Sequence, residues 1–139
     1  MNEPNVVPFR RPKQHAVERG YLFVRDSSSD LEVVHAFGEL DLACAKELES
    51  TIVALSAQPH EPAIIVDLTA CNYLDSTILT VFVRAARLLE ARFTIVVPAN
   101  NPVFRVIRIV GLNQLVPIFE KIDMAASQME VTAPTLVDQ

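Results

Sequence analysis

The stretch AIIVDLTACNYLDSTIL, residues 63–79, contains the transition that decides the fold. Its first six residues form a short, continuous, β-branched run, which is typical of a strand covered on both faces. Apolar residues at helical spacing follow from Leu79 to Leu89. The motif Asp75-Ser76-Thr77 lies between these two patterns. The sequence therefore predicts a strand that leads into a helix with polar residues at its entrance.

The same two patterns alternate along the rest of the chain. Strand signals occupy residues 20–25, 31–37, 63–68 and 92–97, with a weaker edge strand at 115–119. Helical spacing occupies residues 42–55, 79–89, 102–110 and 120–128. The first two strands are joined by small polar residues and predict a hairpin. We therefore predict an α/β fold with a mixed four- to five-stranded sheet packed by about four helices.

Length and composition favour one folded unit. The chain has 139 residues, of which 50% are hydrophobic, and a formal net charge of -5. We expect a domain at residues 20–128, a flexible, mildly basic tail at 1–19 and a second flexible tail at 129–139. The acidic balance gives no electrostatic footprint for nucleic acid. Partners of this chain are therefore expected to be proteins.

Cellular location and cofactors are predicted mainly from missing signals. No apolar run approaches the roughly 18–20 residues that cross a bilayer, so no membrane insertion is expected. Cys44 and Cys71 are expected to be buried thiols in a reducing, cytoplasmic compartment. The three histidines lie far apart, without zinc-like spacing to cysteines or carboxylates. No glycine-rich phosphate loop follows the first strand. We expect no metal, no cofactor and no independent enzymatic activity.

Ser76 has two interpretations at the entrance to the predicted helix. Its hydroxyl could cap a backbone amide for about 1 kcal/mol, with Asp75 as a competitor for the same role. Alternatively, Ser76 could accept a phosphate, which would meet free amides and the positive end of the helix dipole. It stands at the top of a polar stripe formed by Thr77, Thr80, Arg84 and Arg87. The opposite, core-facing stripe is predicted to be Leu79, Phe82, Val83, Ala86 and Leu89.

Four segments, taken in order, resemble the STAS domain of bacterial anti-sigma factor antagonists. They are Gly38-Glu39-Leu40-Asp41, Ile64-Ile65-Val66-Asp67-Leu68, Tyr73-Leu74-Asp75-Ser76-Thr77 and Val110-Gly111-Leu112. The resemblance covers about residues 20–128 and implies a STAS-type fold.

The resemblance also implies a regulatory role without catalysis. Ser76 occupies the position that an ATP-dependent anti-sigma factor serine kinase phosphorylates in this family. The unphosphorylated form is expected to bind that kinase and free its sigma factor, and a serine phosphatase is expected to restore the form that binds. The oligomeric state stays open. The residues expected to contact the partner are Asp41, Asp75, Ser76, Thr77, Thr80 and Arg84.

One position departs from the family pattern. The family usually has glycine two residues after the serine, whereas Ile78 is found here. A β-branched side chain would restrict close approach of a partner to the backbone. On this basis Ile78→Gly is expected to raise the phosphorylation rate.

Two other functions remain open at the level of sequence. The chain could be a STAS docking subunit that is never phosphorylated, in a lipid-transport ABC system or a stress-signalling scaffold. It could also bind nucleotide or lipid in a groove beside the second helix.

Overall fold

The computed structural model describes residues 20–28 and 30–129, in which five strands and four α-helices are formed. The strands are β1 (Tyr21–Ser27), β2 (Leu31–Leu40), β3 (Ala63–Leu74), β4 (Phe93–Val96) and β5 (Ile118–Phe119). The helices are α1 (Leu42–Ser56), α2 (Ser76–Leu89), α3 (Pro102–Val110) and α4 (Ile122–Gln128). The tail expected at 1–19 lies outside the described residues, as does the tail expected at 129–139 apart from Met129, which packs beside α4.

The five strands form one sheet in the order β1-β2-β3-β4-β5. β1 and β2 make the predicted antiparallel hairpin, and every other pair of neighbours is parallel. Parallel neighbours cannot be joined by a tight turn, so α1, α2 and α3 each serve as a crossover. The mixed sheet and the α/β class predicted from the sequence are confirmed.

The two faces of the sheet are covered by different helices. Helices α1, α2 and α3 pack on one face against alternate strand residues, including Val34, Ala36, Ile64, Val66, Leu68 and Ile95. On the opposite face, α4 covers a smaller cluster that contains Leu31, Val33, Ile65, Val96, Ala125 and Ala126. Because successive side chains of a strand point to opposite faces, β3 needs apolar side chains on both of its faces where helices cover both faces of the sheet. This explains the continuous run with which β3 begins.

β3 continues further than the sequence predicted. The strand ends at Leu74, so its predicted end at Leu68 was wrong. Its second half pairs with β2 as far as Leu40, across two register shifts, whereas β4 pairs with β3 only as far as Asp67. The last part of β3 therefore projects past β4 and carries the start of α2 to one end of the sheet.

Asn101 occupies the place beside β3 where β4 has ended. Its Nδ2 donates to the carbonyls of Leu68, Thr69 and Cys71 at 3.3, 3.3 and 2.9 Å. Its Oδ1 accepts from the backbone amide of Val103 at 2.8 Å and thereby caps α3. One side chain thus satisfies carbonyls of an unpaired strand edge and fixes the first turn of a helix to that edge.

Candidate functional site

Asp75, and not Ser76, caps α2. Asp75 has extended backbone angles, and its Oδ1 accepts from the amides of Thr77 and Ile78 at 3.0 and 3.3 Å. The Thr77 hydroxyl donates to the same oxygen. Ser76 already belongs to the helix as its first residue, and its side chain is not placed to cap. The interpretation of Ser76 as the cap was wrong, and Asp75, named as its competitor, has that role.

The Asp75 carboxylate is held in its ionised form. Partial desolvation would by itself raise the pKa of Asp75. Hydrogen bonds from the Thr77 hydroxyl and from the amides of Ile78, Thr77 and Leu42 outweigh it and place the pKa below the ordinary value. At neutral pH a negative charge therefore lies directly beside Ser76.

Ser76 is exposed, and its hydroxyl makes no hydrogen bond to another described residue. The two neighbouring hydroxyls on α2 are engaged. Thr77 donates to Asp75, and Thr80 donates to the backbone carbonyl of Ser76 at 3.0 Å. Of the three hydroxyls in this turn, that of Ser76 is therefore the one without a hydrogen bond among the described residues.

The environment of Ser76 differs from that expected of a phosphate site at a helix terminus. Free amides were expected in the first turn, but Asp75 already accepts hydrogen bonds from the amides of Thr77 and Ile78. A phosphate on Ser76 would have to compete with an anionic carboxylate for these donors. The expectation that a phosphate would be stabilised there by free amides was therefore wrong.

Asp41 lies at the entrance to α1, next to the entrance to α2. Its Oδ1 accepts from the Ala43 amide at 3.0 Å and caps α1. The backbone amide of Asp75 donates to the carbonyl of Leu40 at 3.2 Å, which ties the end of β3 to the end of β2. Because β2 and β3 are parallel neighbours, their carboxyl ends bring Asp41 and Asp75 to the same edge of the sheet.

A groove between α2 and the end of α3 opens beside Ser76. Its volume is about 400 Å³, and it is lined by Ser76, Leu79, Thr80, Val83, Val110, Gly111, Leu112 and Leu115. We call it the α2–α3 groove. Val110 and Leu115 remain 55% and 51% exposed. Leu79 and Val83, predicted as core, are only half-buried where they line it. An apolar surface therefore borders the accessible serine.

The predicted polar stripe is divided by this arrangement. Ser76 and Thr80 line the α2–α3 groove, whereas Arg84 faces α1, where its Nη1 lies 3.1 Å from Glu49 Oε1. Arg84 is thus paired within the protein, although its side chain is 62% exposed. An exposed ion pair of this kind contributes about 0–1 kcal/mol, so the pair can open when a partner binds.

The exposed apolar surface of α3 and of two further residues was not predicted from the sequence. Leu42 at the start of α1 is 72% exposed, and Tyr73 near the end of β3 is 50% exposed. In α3, Val103 and Ile107 are the residues buried in the core. The helix therefore has more apolar residues, such as Val110, than its one buried face uses. These extra apolar residues were the feature of the sequence that could have indicated an exposed apolar surface on α3, since a helix packed on one face needs only one apolar stripe.

Ile78 does not lie on this surface. Its side chain is 0% exposed and packs in the main core. The expectation from the sequence that this side chain would restrict close approach to the backbone was wrong. A side chain at this position therefore does not obstruct a partner that approaches Ser76.

His35 and Asp67 form a second polar cluster on the face of the sheet that α4 partly covers. His35 Nδ1 lies 2.7 Å from Asp67 Oδ2, and both the amide and the hydroxyl of Thr69 donate to Asp67 Oδ1. Burial alone would raise the pKa of Asp67, but the hydrogen bonds from His35 and Thr69 hold it below its ordinary value. This carboxylate ties β2 to β3 and does not line the α2–α3 groove.

The remaining reactive groups also have structural environments. Cys44 and Cys71 are buried free thiols, as predicted. Burial raises the pKa of both, to about 11 for Cys71, so neither is a reactive thiolate at neutral pH. Within residues 20–28 and 30–129, no group of three or more His, Cys, Asp or Glu side chains is arranged to hold a metal ion. None of the helices formed by those residues could cross a membrane.

Comparison with known proteins agrees with this architecture. Residues 25–125 match the family model of the STAS domain. An anti-sigma factor antagonist from Mycobacterium paratuberculosis is 26% identical, with a TM-score of 0.71 over 79% of this chain and 94% of that one. A search of curated proteins found no match.

Two more distant structures share the fold. The anti-sigma factor antagonist SpoIIAA, in its unphosphorylated form, is 18% identical, with a TM-score of 0.63 over 81% of this chain and 100% of that one. A sulfate transporter family protein from Wolinella succinogenes is 15% identical, with a TM-score of 0.60 over 74% of this chain and 87% of that one. The fold thus occurs in regulators and in transporter proteins. Because the family model spans most of the sheet and its crossover helices, this chain belongs to the STAS domain family.

Proposed function

We propose that this protein is an anti-sigma factor antagonist controlled by phosphorylation of Ser76. In its unphosphorylated form it binds an anti-sigma factor that is also a serine kinase, and this binding releases a sigma factor. Phosphorylation of Ser76 ends the interaction, and a serine phosphatase restores it. The observation that carries the proposal is the exposed, unengaged Ser76 hydroxyl at the border of an apolar groove.

The hydroxyl environment supports Ser76 as the acceptor in preference to Thr77. A kinase must reach the oxygen that it phosphorylates, and the Thr77 hydroxyl donates to the capping carboxylate of Asp75. Phosphorylation of Thr77 would remove that donor and place a dianion against Asp75. Phosphorylation of Ser76 leaves the cap in place.

Asp75 also gives phosphorylation its effect on binding. A phosphate adds about -1.5 to -2 charges beside a carboxylate that is already ionised. Two unit charges about 4 Å apart repel by about 1 kcal/mol in water and by about 4 kcal/mol at an effective dielectric constant of 20. A partner that covers the α2–α3 groove excludes water and so increases this repulsion in the complex. Since about 1.4 kcal/mol changes affinity tenfold, the switch needs no conformational change.

The decisive experiment is intact-mass and peptide mass spectrometry on the protein isolated from its native host. A fraction carrying one phosphate at Ser76 supports the proposal. Ser76→Ala is expected to abolish the phosphate and keep partner binding, whereas Ser76→Glu is expected to weaken binding. Thr80→Ala is the matched control, since it removes a hydroxyl one turn away and should retain the phosphate.

The alternative function is that of a docking subunit that is never phosphorylated, in a lipid-transport ABC system or a stress-signalling scaffold. The occurrence of this fold in a transporter family protein is the observation that favours it. Absence of phosphate at Ser76 across growth and stress conditions, together with unchanged partner binding by Ser76→Glu, would replace the switch by this alternative.

A further inference from the structure

The region that contains α3 has an unusual charge composition for this protein. The chain has 17 acidic residues and a net charge of -5, yet residues 91–119 contain no aspartate or glutamate. The same segment has three arginines, of which Arg92 donates to the carbonyl of Pro62. Arg105 and Arg108, both on α3, are the other two. The outer side of α3 is therefore locally positive on an acidic protein.

Neither arginine of α3 is neutralised within the part of the chain that the structure describes. The ion pairs found there involve Arg25, His35 and Arg84, but not Arg105 or Arg108. Both arginines are exposed, and they are three residues apart, so they lie on neighbouring turns about 5–6 Å apart at Cβ.

Apolar side chains lie beside these two charges. The Arg108 guanidinium lies over the ring of Phe104, with 5.8 Å to the ring centroid. Ile109 is 76% exposed, the largest exposed fraction among the exposed large hydrophobic residues of the described chain. A shallow cavity of about 430 Å³ is lined by Ala99, Phe104, Arg105, Arg108 and Ile109. We call this surface the α3 basic face.

We propose that the α3 basic face docks an acidic amphipathic helix of a partner protein. Carboxylates three or four residues apart on such a helix would meet Arg105 and Arg108, and its apolar side chains would cover Ile109 and Phe104. A small anion would leave Ile109 uncovered. Nucleic acid would be repelled by the rest of this acidic protein. The surface does not require phosphorylation, so the proposal goes beyond the function assigned to Ser76.

Site-specific photo-crosslinking in the native host tests this proposal. The substitution Ile109→p-benzoylphenylalanine places the probe at the centre of the α3 basic face and keeps an apolar side chain there. The crosslinked peptide of the partner is identified by mass spectrometry. We expect a protein adduct whose crosslinked segment is acidic and has helical apolar spacing. Capture of a protein segment without these features would contradict the proposal.

Charge reversal supplies the matched comparison. Arg105→Glu with Arg108→Glu is expected to reduce the adduct roughly tenfold or more, since close charge pairs at interfaces couple by more than about 1.4 kcal/mol. Arg87→Glu, a single reversal on the exposed side of α2, should leave it unchanged. Circular dichroism checks that each variant is folded.

Four further outcomes would overturn the proposal: no adduct, an adduct with nucleic acid or lipid, an adduct with a second copy of this chain, or an adduct insensitive to charge reversal. Ser76→Glu separates this surface from the proposed switch. The adduct at Ile109 is expected to persist in that variant, and its loss would mean that α3 belongs to the Ser76 interface. Failure of the switch, by contrast, is detected by the absence of phosphate at Ser76 and does not affect the adduct.

Discussion

Replacement of Ile78 by glycine introduces the residue that the family usually carries two positions after the serine. The sequence suggested that this change would help a kinase to approach. In the structure the Ile78 side chain is 0% exposed and packs in the main core. The change therefore removes core packing and leaves the α2–α3 groove beside Ser76 unaltered. We therefore expect Ile78→Gly to destabilise the protein.

The magnitude follows from two contributions. Truncation of a buried isoleucine to alanine costs about 2–5 kcal/mol, because transfer free energy is lost and a cavity remains. Replacing alanine by glycine within a helix adds about 0.5–1 kcal/mol. Their sum, about 2.5–6 kcal/mol, is a large part of the roughly 5–15 kcal/mol by which a domain is stable.

Urea denaturation followed by circular dichroism measures this loss. With a slope of about 1.5 kcal/mol per molar, the midpoint should fall by roughly 2–4 M. Thr80→Gly, on the exposed side of the same helix, is the control and should lose less than about 1 kcal/mol. If Ile78→Gly were no more destabilising than the control, the assignment of Ile78 to the core would be refuted. Ile78→Ala, at a temperature where it is folded, should be phosphorylated at the parental rate.

Three further changes test individual contacts. Asn101→Asp keeps the oxygen that caps α3 but turns a carboxylate oxygen toward three β3 carbonyls. Thermal denaturation should show that the free energy of unfolding falls by about 1–3 kcal/mol. Unchanged stability would exclude a role for the amide group. Asp67→Asn should weaken the contact with His35. The folded-state pKa of Asp67 is below its ordinary value of 3.8. The Asp67 carboxylate therefore stabilises the fold above pH 3.8, and this stabilisation is lost as the pH falls through the folded-state pKa. The Tm difference between parent and Asp67→Asn should therefore be largest near neutral pH and shrink in acid, and a constant difference would contradict this linkage. Gly38→Ala should destabilise by more than about 1–2 kcal/mol in urea unfolding, because Gly38 has φ +92° and an added Cβ would clash with the Gly20 carbonyl oxygen. A neutral effect would show that this part of β2 relaxes freely.

Local sequence was sufficient to predict strands and helix ends where the interactions that determine them act within one or two turns of the chain. The β-branched run at 63–68 could be interpreted as a central strand, because both of its side-chain parities are apolar. Asn101, Pro102 and Gly111 bounded α3 correctly, because a cap, a first-turn proline and a left-handed terminal residue each act on the adjacent backbone. The motif around Ser76 indicated the family and the candidate acceptor.

The tertiary structure decided which side chains face one another. Leu79 and Val83 have the spacing of core residues, but they border a groove because the end of α3 leaves that side of α2 partly uncovered. His35 and Asp67 are 32 residues apart and meet only because β2 and β3 are neighbours in the sheet.

The environment of Ser76 shows the same division between local and tertiary information. Sequence identified an accessible polar helix entrance, and the assignment of the cap to Asp75 depended on backbone angles that place Ser76 already within the helix. The groove beside it depends on Val110 and Leu115, which lie more than thirty residues along the chain. Propensities and caps determine where a helix begins and ends, whereas the identity of its exposed face depends on which distant elements pack against it.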